Sequence, residues 1–162
     1  MKWPRLILPL LLVPILSLAD SGRSWSVGPM LHYEFGKKAR GLTFGIEASY
    51  WWEDPGDAVP TLGLPVGLDM GVEFTHTKVR WYSEAQTGFL VGASAGPFLE
   101  IPYASEAMAG GGSSPVFGFQ GSIWGWFLAG ADLRGRWNKD GAVFSPGLFA
   151  KAVGTSGGDS NF

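Results

Sequence analysis

The chain has 162 residues, no cysteine and a formal net charge of −2. Only 16% of its residues are charged, against about 25% in soluble proteins, whereas 14% are aromatic and 25 are glycine. That profile excludes a disulfide scaffold and a basic nucleic-acid footprint, and it leaves too little charge to cover the surface of an ordinary water-soluble β-protein.

Residues 1–19 read as a cleavable signal peptide. Lys2 and Arg5 form a positive start, Leu6 to Leu16 is apolar, and Ser17-Leu18-Ala19 offers small residues at a cleavage site before Asp20. Eleven apolar residues broken by Pro9 and Pro14 fall well short of the roughly 20 that a spanning helix needs. The leader holds two of the twelve basic residues and none of the fourteen acidic ones, so the remaining 143 carry a net charge of −4. Their length suits one domain, expected over residues 20–153, with a polar tail at 154–162.

After the leader, side chains alternate with a period of two, the signature of β-strands. From residue 25 to 35 the odd positions are Trp25, Val27, Pro29, Leu31, Tyr33 and Phe35, and Ser26, Gly28, Met30, His32 and Glu34 lie between them. A charged break, Lys37-Lys38-Ala39-Arg40, precedes a second segment with Leu42, Phe44, Ile46, Ala48, Tyr50 and Trp52 on one side. Further segments follow at about 64–74, 78–89, 91–101, 116–124, 126–137 and 143–153, which predicts eight strands. Ten to thirteen residues per segment exceeds the usual 5–6 of soluble strands and matches the roughly 9–11 of a tilted strand crossing a bilayer. Residues 53–63, with Pro55, Gly56 and Pro60, and residues 102–115, with three consecutive glycines, read as loops. Asp140-Gly141 is a hairpin-turn signal. One phase persists from Val79 to Ile101, too long for a single crossing, so a turn is expected at 90–96.

Volume assigns the faces. One phase holds bulky Trp, Phe, Tyr, Leu, Ile and Val; the other is mostly Gly, Ser and Thr with spaced charges. An eight-stranded barrel has interior room only for its own side chains, so the small phase is expected inside and the bulky phase against lipid. The interior then holds Glu34, Glu47, Asp69, Glu73, Arg80, Glu84, Asp132, Arg134 and Arg136, with Lys151 and His32 beside them. Buried charges must pair, and a salt-bridge network around Glu84, Arg80, Arg134 and Arg136 is expected to plug the lumen, either as a structural closure or as a gate. Trp25, Trp52, Trp81, Trp124 and Trp137 lie near strand ends, where aromatic residues would form interfacial girdles.

Leader, absence of cysteine, about 140 further residues and eight alternating strands together resemble the small OmpA/OmpX-type outer-membrane barrels. The resemblance is architectural and covers the chain after the leader; no short motif carries it. It implies an all-β, antiparallel up-and-down transmembrane barrel in the cell outer membrane of a Gram-negative organism. Its implied partners are outer-membrane lipids, lipopolysaccharide and the barrel-assembly machinery, and the monomer is favoured. Such proteins often end in a strand closing on Phe; this chain closes on Phe162 after a stretch, 154–161, that does not alternate.

Catalysis and cofactors are not expected. His32 and His76 are the two histidines, distant in sequence, without a metal-ligand spacing or a His-x-Ser pairing. His76 reads as a solvated turn residue and His32 as a lumen residue beside Glu34. Gly92-Ala93-Ser94-Ala95-Gly96 lacks the lysine of a phosphate loop. The expected role is structural or surface-interacting. The alternatives are a narrow gated pore and a soluble periplasmic lipocalin-like barrel that holds an apolar ligand inside.

Overall fold

A computed structural model describes residues 23–36, 40–52, 65–88, 90–103, 114–125 and 129–155. The leader and the tail beyond residue 155 lie outside the described residues, as do most of the two long connections. Nine strand segments form one antiparallel sheet: β1 (Arg23–Gly36), β2 (Arg40–Trp52), β3 (Val66–Phe74), β4 (Lys78–Gly88), β5 (Val91–Pro102), β6 (Val116–Gly125), β7 (Ala129–Asn138), β8 (Gly141–Ala150) and β9 (Ala152–Thr155). Each segment from β1 to β8 pairs with the next, and β1 closes the sheet on β8 and β9. The β1–β8 and β1–β9 ladders share one register, so β8 and β9 are one strand interrupted at Lys151. The architecture is an eight-stranded up-and-down barrel without a free edge.

Pro29 causes the interruption. It has no N–H to offer the ladder, and a Cβ on neighbouring Gly28 would lie 1.8 Å from the Ala150 carbonyl oxygen, so the two backbones run unusually close there. The pairing continues to Thr155, two residues beyond the expected end of the barrel at 153. The fourth-to-fifth turn also differs from expectation. Gly88, at φ +133°, reverses the chain and pairs directly with Gly92, so residues 92–96 belong to β5. The small residues there serve close packing on the inner face rather than a turn: a Cβ on Gly96 would meet the Ser83 carbonyl oxygen at 1.9 Å.

The register fixes the tilt. Walking the ladder from Trp25 through Tyr50, Leu68, Ala85, Ala95, Gly121, Gly135 and Phe144 returns to Phe35, ten residues further along β1. Ten residues of rise around eight strand spacings incline the strands by about 40° to the axis. Because ten is even, the inward phase stays inward all the way round.

The polarity is the reverse of a soluble protein's. Among the described residues, twenty-one large hydrophobic side chains are exposed and five are buried, while twenty polar or charged residues are buried. This excludes the lipocalin-like alternative, which needs an apolar interior. Trp25, Trp52, Trp81 and Trp137 face outward as expected, but Trp124 does not: it is 8% exposed and meets Trp51 edge-on inside the barrel, with ring centroids 5.8 Å apart. It shares the parity of Gln120 and Ser122, the inner phase of β6.

Large residues inside a narrow barrel need space, and glycines supply it. Met30 sits opposite Gly45, Trp51 opposite Gly67, Tyr82 opposite Gly71, Phe98 opposite Gly118 and Trp124 opposite Gly92. At each glycine an added Cβ would come within 3.0 Å of that partner's side chain. The mostly small interior expected from the sequence therefore also holds five large side chains, each lying over a glycine on a neighbouring strand.

A pair of substitutions tests this. Gly118→Ala, whose methyl would lie 2.3 Å from the Phe98 ring, is expected to cost about 1–3 kcal/mol through overpacking. Gly125→Ala, with nothing within 4 Å, is expected to stay within about 0.5 kcal/mol of wild type. Urea unfolding followed by tryptophan fluorescence measures both.

Candidate functional site

The barrel has two rims. Arg23 and Thr155 lie at one, the terminal rim; the turns at 75–77 and 139–140 lie at the other, the hairpin rim. At the hairpin rim, Thr75 Oγ accepts the backbone N–H groups of Thr77 and Lys78 at 3.2 and 3.0 Å. Asn138 Oδ1 accepts the Asp140 N–H at 2.8 Å, ahead of Gly141 at φ +120°. These local bonds pin the registers that bring the lumen charges together.

Among the described residues, seven carboxylates face the lumen (Glu34, Glu47, Asp69, Glu73, Glu84, Glu100 and Asp132) and five cations (Lys78, Arg80, Arg134, Arg136 and Lys151). Glu73, fully buried, is the hub. Its carboxylate receives Arg136 Nη2 at 2.6 and 2.7 Å, Arg134 Nη1 at 3.0 Å, and Arg80 Nη1. Glu34 bridges two of the same guanidiniums, accepting from Arg80 Nη2 at 2.7 Å and Arg136 Nη1 at 3.0 Å. Arg80 also donates to Glu100 from Nε at 2.7 Å, and Lys78 reaches Glu100 from the rim at 2.6 Å. Arg136 finishes on Gln120 Oε1 at 3.0 Å and Ser145 Oγ at 2.7 Å. Planar guanidiniums with fixed forks suit such sharing. Aromatic faces fill the rest: Arg134 lies 4.6 Å from the Tyr82 centroid and Arg80 5.7 Å from that of Phe98.

Nearer the terminal rim a second group forms around Glu47. It accepts from Arg134 Nη2 at 2.9 Å and Tyr82 Oη at 2.5 Å, and it pairs with Lys151. Lys151 also donates to Ser49 Oγ at 2.7 Å and stands 3.6 Å from Asp69. His32 faces acids on both ring nitrogens, Asp132 at 2.9 Å and Glu73 at 3.5 Å. His76 is exposed at the hairpin rim.

All nine charged residues singled out from the sequence thus point inward, but their expected centre was misplaced. Glu84 is not on the arginines; it accepts from Ser94 Oγ at 2.5 Å and Gln120 Nε2 at 2.7 Å. Arg80 instead has Glu73 as its cross-strand partner, with Tyr82 between Arg80 and Glu84 on β4. Alternation tells which face a residue occupies, not at what height it meets another strand. Glu100, part of the network, escaped the sequence reading, and Tyr82, on the same phase as Arg80 and Glu84, was not assigned to the network. The parity of Gly92, Ser94 and Gly96 extends to Glu100, a signal present but unused.

The class that fold and site define is a closed eight-stranded antiparallel barrel with an apolar exterior and an ion-paired lumen. Among solved structures the chain is similar to Ail, the attachment invasion locus protein of Yersinia pestis, at 13% identity over 83% of this chain and 99% of that one, with a TM-score of 0.37. No family model and no curated protein matches it.

Glu73→Gln removes the charge that three guanidiniums share and is expected to destabilise the barrel by about 3–5 kcal/mol, the cost of stranding buried partners. Lys78→Met, at the wetter rim pair, is expected to cost about 1 kcal/mol or less. Equal urea midpoints for the two variants would contradict Glu73 as the hub.

Proposed function

We propose that the chain is an outer-membrane β-barrel protein with a structural or surface-interaction role, no catalytic role, and a lumen held shut by the Glu73–arginine network. The observation that carries this reading is the inverted polarity. A belt of Leu, Ile, Val and Phe around the outside is stable only where lipid replaces water, and a closed barrel is the sheet architecture that satisfies its backbone there. The aromatic residues fit the same placement. Trp25 and Trp52 face outward at the terminal rim, and Trp81, Trp137 and Phe144 do so toward the hairpin rim, as two interfacial girdles would. Lipids and lipopolysaccharide are the proposed surroundings, the assembly machinery the proposed route in, and a monomer the proposed state.

A second reading, a narrow gated pore, draws on one feature: Arg134 and Lys151 pair with the two different oxygens of Glu47, so one pair can open while the other still holds the charge. Residues 20–162 refolded into detergent are expected to migrate faster on a cold SDS gel than after boiling, and to give no conductance steps in a planar bilayer. Loss of the mobility difference, with a folded protein in plain buffer, would overturn the membrane reading. Discrete steps from the wild type would replace the closed barrel with the pore.

A further inference from the structure

Between the Glu47 group and the terminal rim lies a cavity of about 20 Å³, bordered by Ser26, Glu47, Asp69, Gln86, Trp124 and Lys151 among others. Room of that size holds about one or two occupants the size of a water molecule. Five polar atoms of residues on its wall have no hydrogen-bond partner: Ser26 Oγ, Asp69 Oδ1, Gln86 Nε2, Trp124 Nε1 and Arg134 Nε. Their residues are 2%, 3%, 3%, 8% and 3% exposed. Five orphaned groups around one small space are costly unless something occupies it.

Charge says what kind of occupant. The cavity wall carries three carboxylates, Glu47, Asp69 and Asp132, and two cations, Arg134 and Lys151. Glu47 takes both cations at close range and Asp132 faces His32. Asp69 is left with Lys151 Nζ 3.6 Å from its Oδ1, beyond hydrogen-bond reach, so that same oxygen has no hydrogen-bond partner.

We infer that the cavity binds one small monovalent cation, of sodium or potassium size, together with water. Asp69 Oδ1 and Ser26 Oγ face the ion. Water beside it accepts the N–H groups of Gln86, Trp124 and Arg134, so all five orphans are met at once. Divalent ions are disfavoured, because a double charge would meet a single orphaned carboxylate oxygen with the Lys151 ammonium 3.6 Å from it. The site concerns the lumen alone and does not depend on which membrane surrounds the barrel.

The test uses residues 20–162 refolded in zwitterionic micelles, with folding first established by heat-modifiability. Unfolding is then measured in sodium, potassium or choline chloride at constant ionic strength, at pH 6 and pH 8. A bound ion stabilises by mass action, so replacing choline by sodium or potassium is expected to raise the unfolding midpoint. Once the site fills, the folding equilibrium constant should rise about tenfold for each tenfold increase in the ion. Asp69→Asn is expected to abolish the difference between the small ions and choline; should it not fold, Ser26→Ala is expected to weaken the difference. Sodium-23 resonance broadening by the wild type, relieved in the variant, is the independent readout. No preference over choline at either pH would overturn the inference. So would a wild type stabilised by acid alone, which would mean that a proton and not an ion compensates Asp69.

Discussion

A carboxylate taken out of water inside a barrel only a few side chains wide must find its counter-charge within reach, and Glu73 meets this constraint with three arginines. Those arginines come from β4 and β7, strands far apart in the chain. Their forks extend the pairing to Glu34, Glu47 and Glu100, on β1, β2 and β5. The network therefore ties opposite walls together. A slip of two residues in any of these ladders would preserve every inward-facing side chain and still break the pairing. Period-two patterning guards against odd slips; the ion pairs guard against even ones.

The second constraint is space. A shear of ten around eight strands leaves a lumen that side chains must fill without voids. The chain meets it by opposing each large inward residue with a glycine on the adjacent strand, as Phe98 over Gly118 and Trp124 over Gly92 illustrate. The abundance of glycine thus reflects neither flexibility nor weak strands. It is the complement of the aromatic residues that cover it, and together they place rings beneath Arg80 and Arg134.

The two halves of the lumen differ in consequence. Near the hairpin rim, Glu34, Glu73 and Glu100 interlock with Lys78, Arg80 and Arg136, and each of these charges has a partner. Near the terminal rim, Glu47 captures both available cations and Asp69 is left short of one, beside unpartnered Ser26, Gln86 and Trp124. One structure thereby combines a rigid closure with a small polar chamber, through the uneven distribution of five cations among seven carboxylates.

Strand number, approximate strand limits, the outward belt and the inward set from Glu34 to Arg136 were all legible in the sequence. Each depends on local alternation, which a pleated strand turns directly into two faces. The turn at Gly88, the break at Lys151 and the inward seat of Trp124 were legible in principle, through a glycine free to take positive φ, a proline without a donor, and parity. What no local pattern contained was height. That Arg80 meets Glu73 and not Glu84, and that Asp69 is the acid left over, follow from eight registers acting together around a closed ring, a sum that exists only once the last strand has paired with the first.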